Sequence, residues 1–166
     1  MVILKKGDCE HCQRSYRYSL WHSGFGDNSY AYCDQCGMLA LLNYSNPQVA
    51  GFPLLSSQYQ EIDESWEPFL KPCACGGQFR KGASPRCPSC NEKLSAAHAA
   101  EHIEAQALGA GRGWCWQNNW SGVYCMAMDD PTNPGDLFQV SDPVIDAATS
   151  RSKSKSRWSL LFSLGR

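Results

Sequence analysis

The chain has 166 residues, a formal net charge of −1, 43% hydrophobic residues and ten cysteines. That length suffices for one ordinary domain or a few very small ones. A charge near zero gives no global pull towards nucleic acid, and no segment approaches the roughly 18 apolar residues of a membrane span. Ten cysteines suit a secreted disulfide scaffold, but Val2-Ile3-Leu4 ahead of Lys5-Lys6 is too short for the apolar run of a leader. The expected setting is a reducing, cytoplasmic one in which paired cysteines bind metal.

In chain order, the first module is expected over residues 1–58. Cys9-Glu-His-Cys12 and Cys33-Asp-Gln-Cys36 bracket a segment whose Tyr16 to Trp21 stretch alternates with the period of a strand. Gly24 to Asn28 is dense in turn formers, Ser29 to Tyr32 leads back to Cys33, and Met38 to Leu42 reads as a third strand. Residues 45–70 lack periodicity, and their end, 59–70, is an acidic linker carrying Glu61, Asp63, Glu64 and Glu67. The second module, 71–128, opens with Cys73-Ala-Cys75-Gly76-Gly77 and closes its metal loop with Cys87-Pro-Ser-Cys90. Gln78 to Lys81 between them is a shorter strand. Ser95 is a good N-cap for an Ala-rich helix ending before Gly109. Trp114 to Gln117 and Val123 to Met126 then form an aromatic hairpin turning near Trp120. Residues 129–166, rich in Pro, Asp and Ser and then in alternating base and serine, read as a flexible, disordered tail.

The cysteines carry the sharpest chemistry. Two residues between cysteines let one tight turn present two thiolates to one ion, and zinc needs four in a tetrahedron. Cys9, Cys12, Cys33 and Cys36 make one expected set, and Cys73, Cys75, Cys87 and Cys90 the other. Cys73-x-Cys75 is a tighter knuckle, which Gly76-Gly77 has the backbone freedom to close. Gly37 and Asn91 follow their knuckles at positions that favour positive φ. The competing readings are buried free thiols or redox pairs; as a redox pair Cys33/Cys36 lacks the βαβ setting that motif requires, and a matching distant pair argues for metal. Four thiolates close the coordination shell, so such sites are structural.

These four knuckles resemble the zinc-ribbon, rubredoxin-like superfamily over residues 9–44 and 73–91. The resemblance implies structural Cys₄ zinc and a docking role towards protein or nucleic acid.

Three further features compete for a function. His98-Ala-Ala-Glu101-His102 matches the inverted zinc-protease signature on an expected helix, but no Glu follows Glu104 to serve as a third ligand, so a plain surface helix is the stronger reading. Cys115 and Cys125 face each other across the hairpin and read as small buried thiols. Beside them Trp114, Trp116, Tyr124 and Met126 share a face that either packs on the helix or docks a partner. Arg14, Tyr16, Arg17, Tyr18 and Trp21 could grip phosphate and stack on bases, against the plainer reading of an ordinary strand. In the tail, Trp158, Leu161 and Phe162 fall on one helical face. They make either an idle terminus or a short motif that orders in a partner's groove or on an anionic membrane surface.

The expectation is a small α+β protein: two Cys₄ zinc ribbons, a helix, a β-hairpin and a disordered tail. It binds two Zn²⁺ ions and acts as a non-catalytic adaptor for another protein. Nucleic-acid binding is the alternative, and metallopeptidase activity ranks third.

Overall fold

A computed structural model describes residues 4–22, 27–50, 61–94 and 124–145, with the side chains of Trp21, His22 and Tyr124 left out. Among the described residues, seven strands form two sheets: β1 (Lys5–Asp8), β2 (Ser15–His22), β3 (Asn28–Cys33), β4 (Leu39–Asn43), β5 (Phe79–Arg80), β6 (Tyr124–Met128) and β7 (Gln139–Ser141). The first sheet has the order β1-β2-β6 and the second β5-β3-β4-β7.

The alternation in β2 works as a strand pattern should. Tyr16 and Tyr18 are buried while Ser15 and Arg17 are exposed. They pack with Cys9, Cys87, Leu94, Met126 and Met128 in one apolar cluster. β3 and β4 are buried on both faces. Tyr30, Tyr32, Leu39 and Leu41 meet Cys125 and Ala127 of β6 in a seam between the sheets. Ala31, Cys33, Ala40 and Leu42 face the opposite way, into the main core with Val49, Ile62, Trp66, Leu70, Cys73, Phe79 and Val144. Across the seam, the Tyr32 hydroxyl accepts from the Met126 N–H at 2.6 Å and donates to its carbonyl at 3.2 Å. One side chain thus satisfies both backbone groups of a buried strand residue.

Two expectations are corrected here. The acidic linker is core structure over residues 61–70. Ile62 donates to the Tyr30 carbonyl at 2.9 Å, and a 3₁₀ helix (Glu64–Phe69), capped by Asp63, buries Trp66. Its acids meet the basic strand that follows: Arg80 reaches Glu67 at 3.0 Å, the Lys81 N–H donates to Glu67, and the Gly82 N–H donates to Glu61 at 2.7 Å. The charge blocks therefore mark an intramolecular contact. The tail expected from residue 129 is likewise folded as far as Ile145. β7 lies parallel to β4 with Ala40 opposite Val140, Lys71 donates to the Pro143 carbonyl at 2.7 Å, and Val144 is buried.

Of the expected hairpin, the Tyr124–Met128 strand is present and pairs antiparallel with β2, placing Cys125 opposite Trp21. Its other half, Trp114 to Gln117, lies outside the described residues, as do the helix after Ser95 and residues 146–166. A four-residue helix, α1 (Pro47–Ala50), is described instead, with Pro47 at its first position and Asn46 capping Gln48. Among the described residues, no helix is long and apolar enough to cross a membrane.

Candidate metal centres

Each cysteine pair sits on the same local device. In knuckle 1 the Gln13 N–H donates to the Cys9 carbonyl at 2.9 Å and the Cys9 N–H to the Arg14 carbonyl at 2.9 Å. Knuckle 2 repeats this with Gly37 on Cys33 and Cys33 on Met38, and knuckle 4 with Asn91 on Cys87 and Cys87 on Glu92. Knuckle 3 is one residue shorter, so Gly76 donates to Cys73 and Cys73 to Gly77. The residue after the second cysteine has positive φ in all four: Gln13, Gly37, Gly76 and Asn91. That turn is the backbone's way of bringing two thiols to the same side. Gly76 supplies it in the short knuckle, where φ reaches +90°.

The knuckles come together in two groups. Cys9, Cys12, Cys87 and Cys90 form one and Cys33, Cys36, Cys73 and Cys75 the other, all sulfurs of a group lying within 4.8 Å of one another. The eight cysteines singled out by spacing are thus the eight that gather, but their grouping is corrected. Knuckle 1 joins knuckle 4, knuckle 2 joins knuckle 3, and each group draws on both sides of residues 59–70. The reason is β5: Phe79 pairs with Cys33, and Asp34 and Gln78 exchange hydrogen bonds at 2.9 Å, which sets knuckle 3 beside knuckle 2. We call 33/36/73/75 the inner site and 9/12/87/90 the outer site.

Both groups fit a metal. A tetrahedron with metal–sulfur bonds of about 2.3 Å has edges of about 3.8 Å. The Sγ–Sγ contacts are 3.8 Å for Cys9–Cys90 and Cys12–Cys87, 3.5 Å for Cys33–Cys75 and 3.6 Å for Cys36–Cys73. Backbone N–H groups of Gly77 and Ser89 point at Cys75 and Cys87 sulfurs at 3.4 Å, an arrangement suited to thiolates. The thiols are already unlike one another. The Cys12 backbone N–H helps bring Cys9 down to about 7, while burial pushes Cys73 up to about 11. A dication would override the second effect, because coordinated thiols lose their protons.

Arg86 links the sites, and spacing did not reveal it. Its guanidinium donates to the Asp34 carbonyl in knuckle 2 at 2.6 Å and to the Asn91 carbonyl in knuckle 4 at 2.8 Å. The Gly37 backbone packs so closely that a Cβ there would lie 2.5 Å from the Arg86 nitrogen. A cleft of about 380 Å³ is lined by Cys36, Arg86, Cys87, Cys90, Met128 and Phe138, among others. The only sequence signal was an arginine directly preceding a Cys-Pro-x-Cys knuckle.

The remaining candidates divide as follows. Tyr16 and Tyr18, named for base stacking, are buried, and Arg17 pairs with Asp129 at 2.9 Å. Cys125 is a buried thiol pushed up to about 12 by burial. Tyr124 begins β6 opposite His22. Trp114, Cys115, Trp116, Trp158, Leu161, Phe162 and the His98, Glu101, His102 triplet lie outside the described residues.

Residues 5–96 match the family model described as Domain of unknown function (DUF8255). The match covers more than half of the chain and includes all eight gathered cysteines, and the chain belongs to that family. No curated protein and no solved structure matches it.

Proposed function

We propose that this member of the DUF8255 family is a non-catalytic zinc-ribbon adaptor, in which two structural Zn²⁺ ions brace a small β scaffold that binds another protein in the cytoplasm. The completeness of both Cys₄ groups carries the reading. Zinc held by four thiolates has no position left for water or substrate, so it cross-links chain segments and does no chemistry. Cys9, Cys12, Cys87 and Cys90 hold one ion, and Cys33, Cys36, Cys73 and Cys75 the other. Their combined choice of soft thiolate ligands favours zinc over hard cations such as magnesium or calcium.

A protein partner is favoured over nucleic acid because Tyr16, Arg17 and Tyr18, three of the residues that could grip phosphate or stack on bases, are engaged internally. Tyr16 and Tyr18 offer no open ring faces, and Asp129 neutralises Arg17. Eight of the nine described cysteines gathered in two Cys₄ groups suit a reducing compartment, where paired cysteines bind metal.

Elemental analysis should find two zinc ions per chain, with sulfur-only coordination by X-ray absorption. Structural zinc contributes on the order of 10–16 kcal/mol at neutral pH, so strong chelation should unfold the protein. Affinity capture from the native host, with nuclease and across a salt series, tests the partner. A retained protein with a salt slope near zero supports the adaptor; capture lost to nuclease and falling steeply with salt supports the nucleic-acid alternative.

A further inference from the structure

We propose that the two metal sites fill in a fixed order, the inner site first, and that Arg86 transmits its closure to the outer site. The proposal rests on the zinc reading above and not on the identity of the partner.

The chain path makes the sites nested. The inner site joins knuckles 2 and 3, and the outer site encloses it by joining knuckles 1 and 4. Seventy-four residues separate Cys12 from Cys87, so closing the outer site on an open chain means closing that whole loop. Once the inner site is closed, only the flanks of 20 and 11 residues remain to be ordered. The loop-closure relation makes that about fourfold easier.

Anchorage adds a larger asymmetry. Inner ligands Cys33 and Cys73 belong to the main core with Trp66 and Phe79, and knuckles 2 and 3 are joined directly through β5. They need nothing from the outer site to find each other. Knuckle 4, by contrast, is seated on knuckle 2. Arg86, the residue before Cys87, grips the Asp34 carbonyl with one nitrogen and the Asn91 carbonyl with another, while Gly37 packs against its backbone. Asp34 and Gly37 lie within and next to the Cys33–Cys36 turn, so closing the inner site holds in place the backbone that Arg86 grips. Each loaded site also carries a net charge of −2, four thiolates against one dication, and the guanidinium lies between both. Arg86 is thus a positioning residue for the outer site.

The test starts from metal-free full-length protein. One molar equivalent of Zn²⁺ is added, then excess N-ethylmaleimide, and labelled cysteines are mapped by peptide mass spectrometry. Cys33, Cys36, Cys73 and Cys75 should be protected while Cys9, Cys12, Cys87 and Cys90 are labelled, and two equivalents should protect all eight. Arg86→Lys and Arg86→Ala should keep the inner four protected, which also reports that the core has formed. Their outer site should bind zinc at least tenfold more weakly. Cys36→Ser should lose protection at both sites, whereas Cys12→Ser should lose it only at the outer one. Outer cysteines protected first, both quartets protected in equal fraction, or Arg86 variants loading like the wild type would each overturn the order. Protection of neither quartet at two equivalents would overturn the zinc reading itself.

Discussion

In the inner site, Cys33 ends a strand buried on both faces and Cys73 shares its core with Trp66 and Phe79. In the outer site, Cys9 and Cys12 sit in the turn between β1 and β2, and Cys87 and Cys90 lie in a loop steadied by Arg86. The knuckle is the same and the foundation differs. A structural metal site is therefore more than its ligand set: the same four thiolates can close within the main core or within a smaller cluster, as Cys9 and Cys87 do with Tyr16, Tyr18 and Met126. Substitutions that spare every cysteine can separate these roles.

Gly37 and Gly76 give the largest contrast. Both have positive φ, +71° and +90°. An alanine at 37 would add to that strain a Cβ lying 2.5 Å from the Arg86 backbone nitrogen, whereas nothing lies within 4 Å at 76. Gly76→Ala should cost about 1–2 kcal/mol from backbone strain alone. Gly37→Ala should cost about 3 kcal/mol or more, as overpacking adds to it. Chemical denaturation of the zinc-loaded proteins measures both. Only Gly37→Ala should also weaken zinc at the outer site, because it pushes on the residue that seats knuckle 4. Equal losses would mean that the two sites do not bear on each other through this contact.

The contrast also explains what could be read from the sequence. Knuckle geometry is local, so Cys-x-x-Cys spacing and the residue after it sufficed to pick eight thiols and to expect positive φ at Gly37 and Asn91. Which knuckles share an ion is tertiary. It depends on β5, a strand of two residues, placing Phe79 opposite Cys33, and no periodicity can be read from two residues. The segment around Trp66 read as a linker because its acids dominate its composition. Their partners, Arg80 and the backbone at Lys81 and Gly82, come only after another cysteine pair. Residues 129–145 read as tail because β7 is three residues long and the only buried side chains, Pro143 and Val144, stand next to each other among Asp and Ser. Proline-rich composition signalled irregular backbone, which is a different property from disorder.

Tyr32 tests how far the two foundations depend on each other. Its hydroxyl is held by both backbone groups of Met126 across the seam. Tyr32→Phe keeps the ring and removes those bonds, leaving a buried N–H and carbonyl to find other partners. The expected loss is about 2–3 kcal/mol, measured by denaturation of the zinc-loaded protein. Because Met126 belongs to the cluster that holds Cys9 and Cys87, amide exchange should rise more in β2 and β6 than in β3 and β4. A uniform rise would make the sheets one cooperative unit.

The smallest effect comes from Tyr30, which lies in the same seam and packs edge-on to Tyr32 at 5.8 Å. Burial raises its hydroxyl well above the ordinary value of 10, and Glu61 nearby adds to the rise. In the unfolded chain Tyr30 ionises near pH 10, whereas in the folded chain it keeps its proton. The stability it contributes is complete below pH 10 and falls as pH climbs from there through the folded value, by up to about 1.4 kcal/mol per pH unit. Other tyrosines and lysines titrate in the same range, so the informative quantity is the difference between wild type and Tyr30→Phe. The variant should lose stability less steeply between pH 10 and 11 and match the wild-type slope between pH 7 and 9. If the two slopes agree across the alkaline range, the Tyr30 hydroxyl reaches water and the seam between the sheets is open there.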